Sequence, residues 1–172
     1  MTTGSPGLAI RIAGRQEFGR LREVEEASEQ LFTEVGIGPF RDEGEPSHLE
    51  RAAIVLVSGD PPVGFASVEI VDGAAHLSQL SVHPSASRRG RGSALLTAVC
   101  DWAAAQGYQA VTLTTFRDVS WNGPFYARMG FHVLDDLTPQ LAAIRDHEKA
   151  IGDDDFGPRV AMRKDLHPTP SP

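Results

Sequence analysis

The chain has 172 residues, 41% of them hydrophobic, with a formal net charge of −7 and a pI near 5.3. That length suits one domain with a sizeable core, and the acidic balance argues against general nucleic-acid binding, which relies on basic surface. The single Cys100 excludes an internal disulfide and a cysteine-built zinc site, and with no secretory leader pattern and no apolar run near the ~20 residues that span a bilayer, a soluble, cytoplasmic protein is expected.

Residues 1–7 read as a polar tail, and 8–12 (LAIRI) alternate like a first strand. Residues 15–35 carry Phe18, Leu21, Val24 and Leu31 at helical spacing. Glu23, Glu25, Glu26 and Glu29 fall mostly off that stripe, as a solvated acidic face. Residues 36–47 (GIGPFRDEGEPS) form a loop, or a loop with a short helical turn, whose Asp42, Glu43 and Glu45 suit either attraction of a cationic substrate or plain solubilising charge. Residues 52–57 (AAIVLV) are a buried strand, and 63–71 (VGFASVEIV) alternate, with Phe65, Ser67 and Glu69 on one face. Asp72-Gly73 is a hairpin-turn signal, and 74–82 are the third strand of a meander.

That meander runs into residues 80–96, LSVHPSASRRGRGSALL. A strand, a Gly/Arg loop and a helix follow one another without a gap. The first N–H groups of a helix lack internal partners and sit in positive potential, so such a junction receives anions. Gly90 and Gly92 permit close backbone approach, and Arg88, Arg89 and Arg91 add guanidinium forks suited to phosphate. The stretch reads as a pyrophosphate cradle. No lysine follows Gly92 as an ATPase P-loop requires, and Leu95 stands where a dinucleotide fingerprint needs Gly or Ala.

Behind the cradle, 93–106 read as a helix stopped by Gly107, with Cys100 inside it as an inert thiol. Residues 110–116 (AVTLTTF) are a strand, expected parallel to 74–82 through a crossover. A short helix over 124–129, a strand over 131–134, a helix over 139–151, an acidic loop over 153–158 and a strand over 159–164 complete the pattern. That last strand has room to pair across a homodimer. The expected fold is α/β of the α+β type: one domain over 8–166, a mixed, mostly antiparallel sheet, and a second polar tail over 167–172.

Val82-His83-Pro84 followed by RRGRGSALL resembles motif A of the GCN5-related N-acetyltransferase (GNAT) superfamily. Residues 121–131 (WNGPFYARMGF) resemble its second signature, an Asn before a helix that bears a Tyr and ends at Gly-Phe. The resemblance covers roughly residues 52–131 and a closing strand. Counted without gaps from Val82, one departure is Ser87, where the family's cradle usually has Gln or Arg; a register shifted by two sets Arg89, Gly92 and Ala94 at the pattern instead.

The resemblance implies acetyl-CoA as co-substrate and a primary amine of a small molecule or peptide as acceptor; the six histidines are scattered without paired ligand spacing, so no metal is expected. It places the pyrophosphate on Arg88, Arg89, Gly90, Arg91, Gly92 and Ser93. It runs the pantetheine arm along Leu80, Ser81 and Val82, on a strand splayed from 110–116. Asn122 and Phe125 complete the cofactor side; Asn122 is equally suited to cap the helix that follows. An N–H near Leu80 would polarise the thioester carbonyl. Tyr126 matches the family's general acid. Glu69 and His76, either side of the Asp72-Gly73 turn, are candidate general bases, with a chain of waters as the alternative. The alternatives are an acyl-CoA-binding module without turnover, or acylation of aminoacyl-tRNA, which the net charge disfavours.

Overall fold

The computed structural model describes residues 8–40 and 47–166. The two expected tails, and Asp42, Glu43 and Glu45, lie outside the described residues. The elements are β1 (Ile10–Ile12), α1 (Phe18–Glu34), α2 (His48–Arg51), β2 (Ile54–Ser58), β3 (Gly64–Val71), β4 (Ala74–Val82), α3 (Arg91–Ala105), β5 (Ala110–Phe116), α4 (Gly123–Arg128), β6 (His132–Val133), α5 (Pro139–Ala150) and β7 (Arg159–Asp165). The strands join in a seven-stranded mixed sheet of order β1-β2-β3-β4-β5-β7-β6. β1–β2, β2–β3, β5–β7 and β6–β7 pair antiparallel. β4 and β5 pair in parallel through Ala75↔Val111 and His76↔Thr112, as a strand–helix–strand crossover requires. Among the described residues no helix is long and apolar enough to cross a membrane.

Apart from α2 and a 3₁₀ turn over Asp153–Phe156, the element types agree with the sequence pattern; some boundaries move. α3 begins at Arg91, not Ser93, so the cradle's last residues are already its first turn. β6 shrinks to two residues: the Phe131 N–H is spent on Tyr126 O at the end of α4, and past Val133 only the Leu134 N–H still reaches β7, at Ala161 O. α2 is a four-residue helix, opened by Glu50, whose carboxylate accepts the Ser47 N–H. The Asp72-Gly73 turn has φ of 50° and 73°, the paired left-handed geometry its sequence signals.

The chain clusters into two compact units. The first contains β1, α1, α2, β2, β3 through Glu69, β4 from Leu77 and most of α3. Its core joins Leu21 and Val24 of α1 to Leu49 of α2, Val55 and Val57 of β2 and Phe65 of β3. The apolar stripe of α1 and the alternation of β2 and β3 supply these contacts directly.

The second unit contains Ile70–His76 and the chain from Trp102 onward. Val71, Leu141 and Ala161 are buried together there. The Asp72 carboxylate accepts the N–H groups of Gln140 (2.9 Å) and Leu141 (3.1 Å) at the start of α5, and the Asp72 N–H donates back to Gln140 Oε1 at 2.7 Å. An anionic side chain on the orphan donors of a helix start is favourable. The Thr138 hydroxyl, then burial working in opposition, then these N–H groups set its carboxyl below the usual range.

A second tie closes the unit's far side. Arg145 Nη1 donates to Glu148 Oε1 (2.8 Å) and Nη2 to Asp154 Oδ2 (2.7 Å), while Arg159 Nη2 donates to Glu148 Oε2 (2.9 Å). The Arg145 side chain is only 7% exposed, so its carboxylates depend on it for compensation. The Asp154 carboxyl is held low by the Arg145 hydrogen bond, against burial. Its depressed pKa contributes stability that is present above the unfolded value near 4 and lost as pH falls through the folded one. Arg145→Met should cost about 3 kcal/mol at pH 7. Chemical denaturation should also show less loss of stability below pH 4 in the variant than in the parent chain; equal acid sensitivity would remove the Arg145–Asp154 pair from the account.

Candidate functional site

The first unit places the cradle at the end of β4. The His83 N–H donates to Val63 O at 2.7 Å, ending the strand. His83 Nδ1 accepts from the Ser85 N–H (3.2 Å) and is 2.8 Å from Ser85 Oγ. Pro84–Ala86 then make a 3₁₀ turn. Ser87 Oγ donates to Pro84 O at 2.8 Å. Ser87 therefore spends its side chain closing the loop.

Arg88 (φ 61°) and Gly90 (φ 78°) take left-handed conformations, and the backbone turns through them into α3. Gly90 O accepts the first helical bond, from the Ala94 N–H at 3.0 Å. Arg91, Gly92 and Ser93 thus form the first turn, where N–H groups precede the helix's own ladder. The Arg88 and Arg89 side chains are exposed. Arg91 instead reaches β2, with Nη1 donating to the buried Ser58 Oγ at 2.8 Å. Of the three arginines, two project from the loop and one fastens it to the sheet. On β4, Ser81 is buried and its hydroxyl accepts from Gln79 Nε2 at 2.9 Å, while Leu80 and Val82 are half-buried.

Two polar groupings lie between the helices and β3 in the same unit. Glu69 accepts from Arg51 Nε at 3.1 Å and from the Ser78 hydroxyl on β4. Two residues earlier, fully buried Ser67 has its Oγ 2.9 Å from His48 Nδ1, and His48 Nε2 is 2.9 Å from Glu25 Oε2. The imidazole lies parallel to the Phe65 ring at 6.1 Å. One helical turn beyond Glu25, the half-buried Glu29 carboxyl is pushed up to about 7, by burial first and then by Glu25 and Glu26.

The sequence reading set Glu25 and Glu29 on a solvated face, and the structure corrects it. Helical spacing contained the signal: Leu21, Glu25 and Glu29 stand four residues apart, so both acids share a line with a core leucine. His48 gave no local sign of its role, since its partners lie 23 and 19 residues away in sequence.

The second unit holds the Asn122–Phe131 signature. Asn122 makes no side-chain cap bond to α4. Its Oδ1 instead accepts from Thr115 Oγ1 of β5 at 2.6 Å. Tyr126 is buried, edge-on to Phe125 (5.2 Å) and Phe131 (5.8 Å). Burial pushes the Tyr126 phenol up, and the Arg159 charge pulls it the other way. Phe125 is half-buried beside it. His76 is a core residue, 4% exposed, with Nδ1 2.9 Å from Thr112 Oγ1. Among the described residues no three His, Cys, Asp or Glu side chains gather as metal ligands.

The model of the acetyltransferase (GNAT) family matches residues 20–131, about two thirds of the chain. Solved structures share the fold at low identity. N-acetylglutamate synthase from Neisseria gonorrhoeae, complexed with coenzyme A and N-acetyl-glutamate, is 19% identical with a TM-score of 0.69 over 93% of this chain. The present chain spans only 35% of that longer protein. PaiA N-acetyltransferase from Thermoplasma acidophilum, in complex with coenzyme A, is 19% identical with a TM-score of 0.66 over 91% of this chain and 98% of its own. A GNAT-family acetyltransferase from Staphylococcus aureus is 18% identical with a TM-score of 0.67 over 92% of this chain and all of its own.

The raised Glu29 carboxyl makes a prediction that needs no ligand. Its folded pKa lies above the unfolded one, so folding carries no penalty below pH 4 and the full penalty above pH 7. Glu29→Gln should therefore leave stability unchanged at pH 4. At pH 8 it should raise stability by about 1 kcal/mol, after allowance for the solvent screening of a half-exposed group. Melting curves at the two pH values check this; a gain at both, or at neither, contradicts it.

Proposed function

The chain belongs to the acetyltransferase (GNAT) family, and from that premise we propose that it binds acetyl-CoA and transfers the acetyl group to a primary amine by direct attack on the thioester. The observation that carries the reading is that one family match spans both the cradle and the Asn122–Phe131 segment. The residues fit the cofactor. The left-handed backbone at Arg88 and Gly90 and the first turn of α3 suit the pyrophosphate, with exposed Arg88 and Arg89 available to its outer oxygens.

On this reading, backbone groups at Leu80, Ser81 and Val82 hold the pantetheine, and the N–H near Leu80 stabilises negative charge on the thioester oxygen. Gly90, Arg91, Gly92 and Ser93 contribute main-chain donors, while the Arg91 side chain keeps the loop seated on β2. Asn122 and Phe125 serve the cofactor from the second signature. The leaving thiolate has a conjugate acid near 8.5 and takes its proton from Tyr126, which burial keeps protonated at every physiological pH. An attacking ammonium must first lose a proton. Glu69, braced by Arg51 and Ser78, is the candidate base, and half-buried Glu29 titrates in the range such a base needs.

The acceptor we propose is cationic. The chain is acidic overall, and α1 presents Glu25 and Glu29 on one line. A cationic acceptor would favour ionised Glu29, so its binding should tighten as pH rises through about 7. One observation favours the second reading, an acyl-CoA-binding module without turnover: a buried phenol whose pKa is raised gives up its proton less readily.

Release of CoA thiol from acetyl-CoA, followed across polyamines, aminoglycosides, amino acids and peptides, tests both readings. We expect turnover with cationic amines. Tyr126→Phe should lower kcat by roughly 10²-fold with the acetyl-CoA KM little changed. Undiminished turnover in that variant removes Tyr126 as the acid. CoA binding without turnover on any amine favours the binding module.

A further inference from the structure

We propose that Thr115 is a positioning residue for the cofactor. Its hydroxyl fixes which end of the Asn122 carboxamide is left to donate to an amide carbonyl of the pantetheine arm. The inference rests on the acetyl-CoA reading above.

The contact itself identifies the atoms. Thr115 Oγ1 and the Asn122 side chain approach to 2.6 Å. That is the ordinary length of an O–H···O bond and shorter than the usual N–H···O range. The Thr115 hydroxyl is therefore the donor and the carboxamide oxygen the acceptor. The carboxamide nitrogen keeps two N–H donors, and among the described residues no acceptor is bonded to it.

The rest of Asn122 is fixed independently. Its N–H donates to Val119 O at 2.9 Å, and its C=O accepts from the Tyr126 N–H at 2.9 Å. The next residue, Gly123, passes so close to β5's exit that an added Cβ would lie 2.3 Å from Arg117 O. With the main chain held on both sides, the remaining freedom of Asn122 is rotation of its side chain and the flip of its amide. Thr115, 2% exposed on β5, removes that freedom. The same Asn122 carbonyl anchors the turn of α4 that bears Tyr126, so cofactor donor and proposed acid share one support.

Thr115→Val keeps the shape and removes the hydroxyl; Thr115→Ser keeps the hydroxyl and removes a methyl. CoA affinity of the full chain by titration calorimetry, with melting temperature as a check on folding, separates the two. Thr115→Val should weaken CoA binding roughly fivefold, the worth of one hydrogen bond, while Thr115→Ser stays within about twofold. In an Asn122→Ala background Thr115→Val should cause no further loss, because its effect passes through that amide. Thr115→Ala replaces the valine variant if the latter does not fold. The proposal is overturned if the hydroxyl-free variant binds like the parent chain, if the serine variant is equally weak, or if the loss persists without Asn122. A parent chain that binds no CoA would instead overturn the acetyl-CoA reading, and this proposal with it.

Discussion

Strand β5 carries hydroxyl groups into a setting with little water, and the second unit is arranged around satisfying them. Thr112 and Thr115 are 5% and 2% exposed. A buried hydroxyl without a partner costs on the order of 1–3 kcal/mol, so each must find one. Thr112 meets His76 of β4, Thr114 donates to Glu148 of α5, and Thr115 donates to Asn122 ahead of α4. One strand thereby fixes three other elements through polar contacts of defined geometry. Burial of Val111 and Leu113 adds affinity without direction. The hydroxyls decide where each partner stops.

The Glu148 tie extends the effect. Glu148 also receives Arg145 and Arg159, and the Arg159 guanidinium lies 4.5 Å from the centre of the Phe116 ring at the end of β5. Such a network is favourable only when complete, since removing one member strands another in low dielectric. It also sets the positive charge that acts on Tyr126. The first unit follows a related logic with β3. Ser67 and Glu69 interrupt an otherwise apolar face, and α2, too short to be stable alone, is held there by His48 and Arg51. In both units a polar residue on a strand holds a neighbouring segment in place, α2 in the first and the approach to α4 in the second.

This explains which parts were legible in the sequence. Periodicity and turn chemistry are local, so α1, β3, the Asp72-Gly73 turn and the strand–loop–helix cradle could be read directly. A four-residue helix has no period to detect, and α2 went unread. Asn122 before Gly-Pro is a sound helix-cap pattern, yet Thr115 outcompeted the helix for its side-chain oxygen. The cradle was legible as a backbone device, but the division of labour among its arginines was not. That Arg91 turns to Ser58 depends on a residue 33 positions earlier. Glu25 and Glu29 mislead for another reason: their charge points to solvent, while their spacing sets them on the line of Leu21.

The Tyr126 phenol poses the sharpest chemical question in the fold. Under the acetyl-transfer reading, Tyr126 as the proposed general acid must hold its proton until the thiolate forms and then release it. At reference values of about 10 and 8.5, the transfer to a thiolate is uphill by roughly 2 kcal/mol. Burial raises that further, and Arg159 opposes it. The opposition is bounded, because Arg159 is also bonded to Glu148, whose negative charge offsets it at a distance. Flanked by Phe125 and Phe131, the phenol has no competing acceptor among the described residues. Its proton therefore has no alternative destination in the apolar wall around it. Under the acetyl-transfer reading, the developing thiolate would itself supply the charge that makes the transfer favourable, and the surrounding burial that weakens the free acid would strengthen that hydrogen bond once formed.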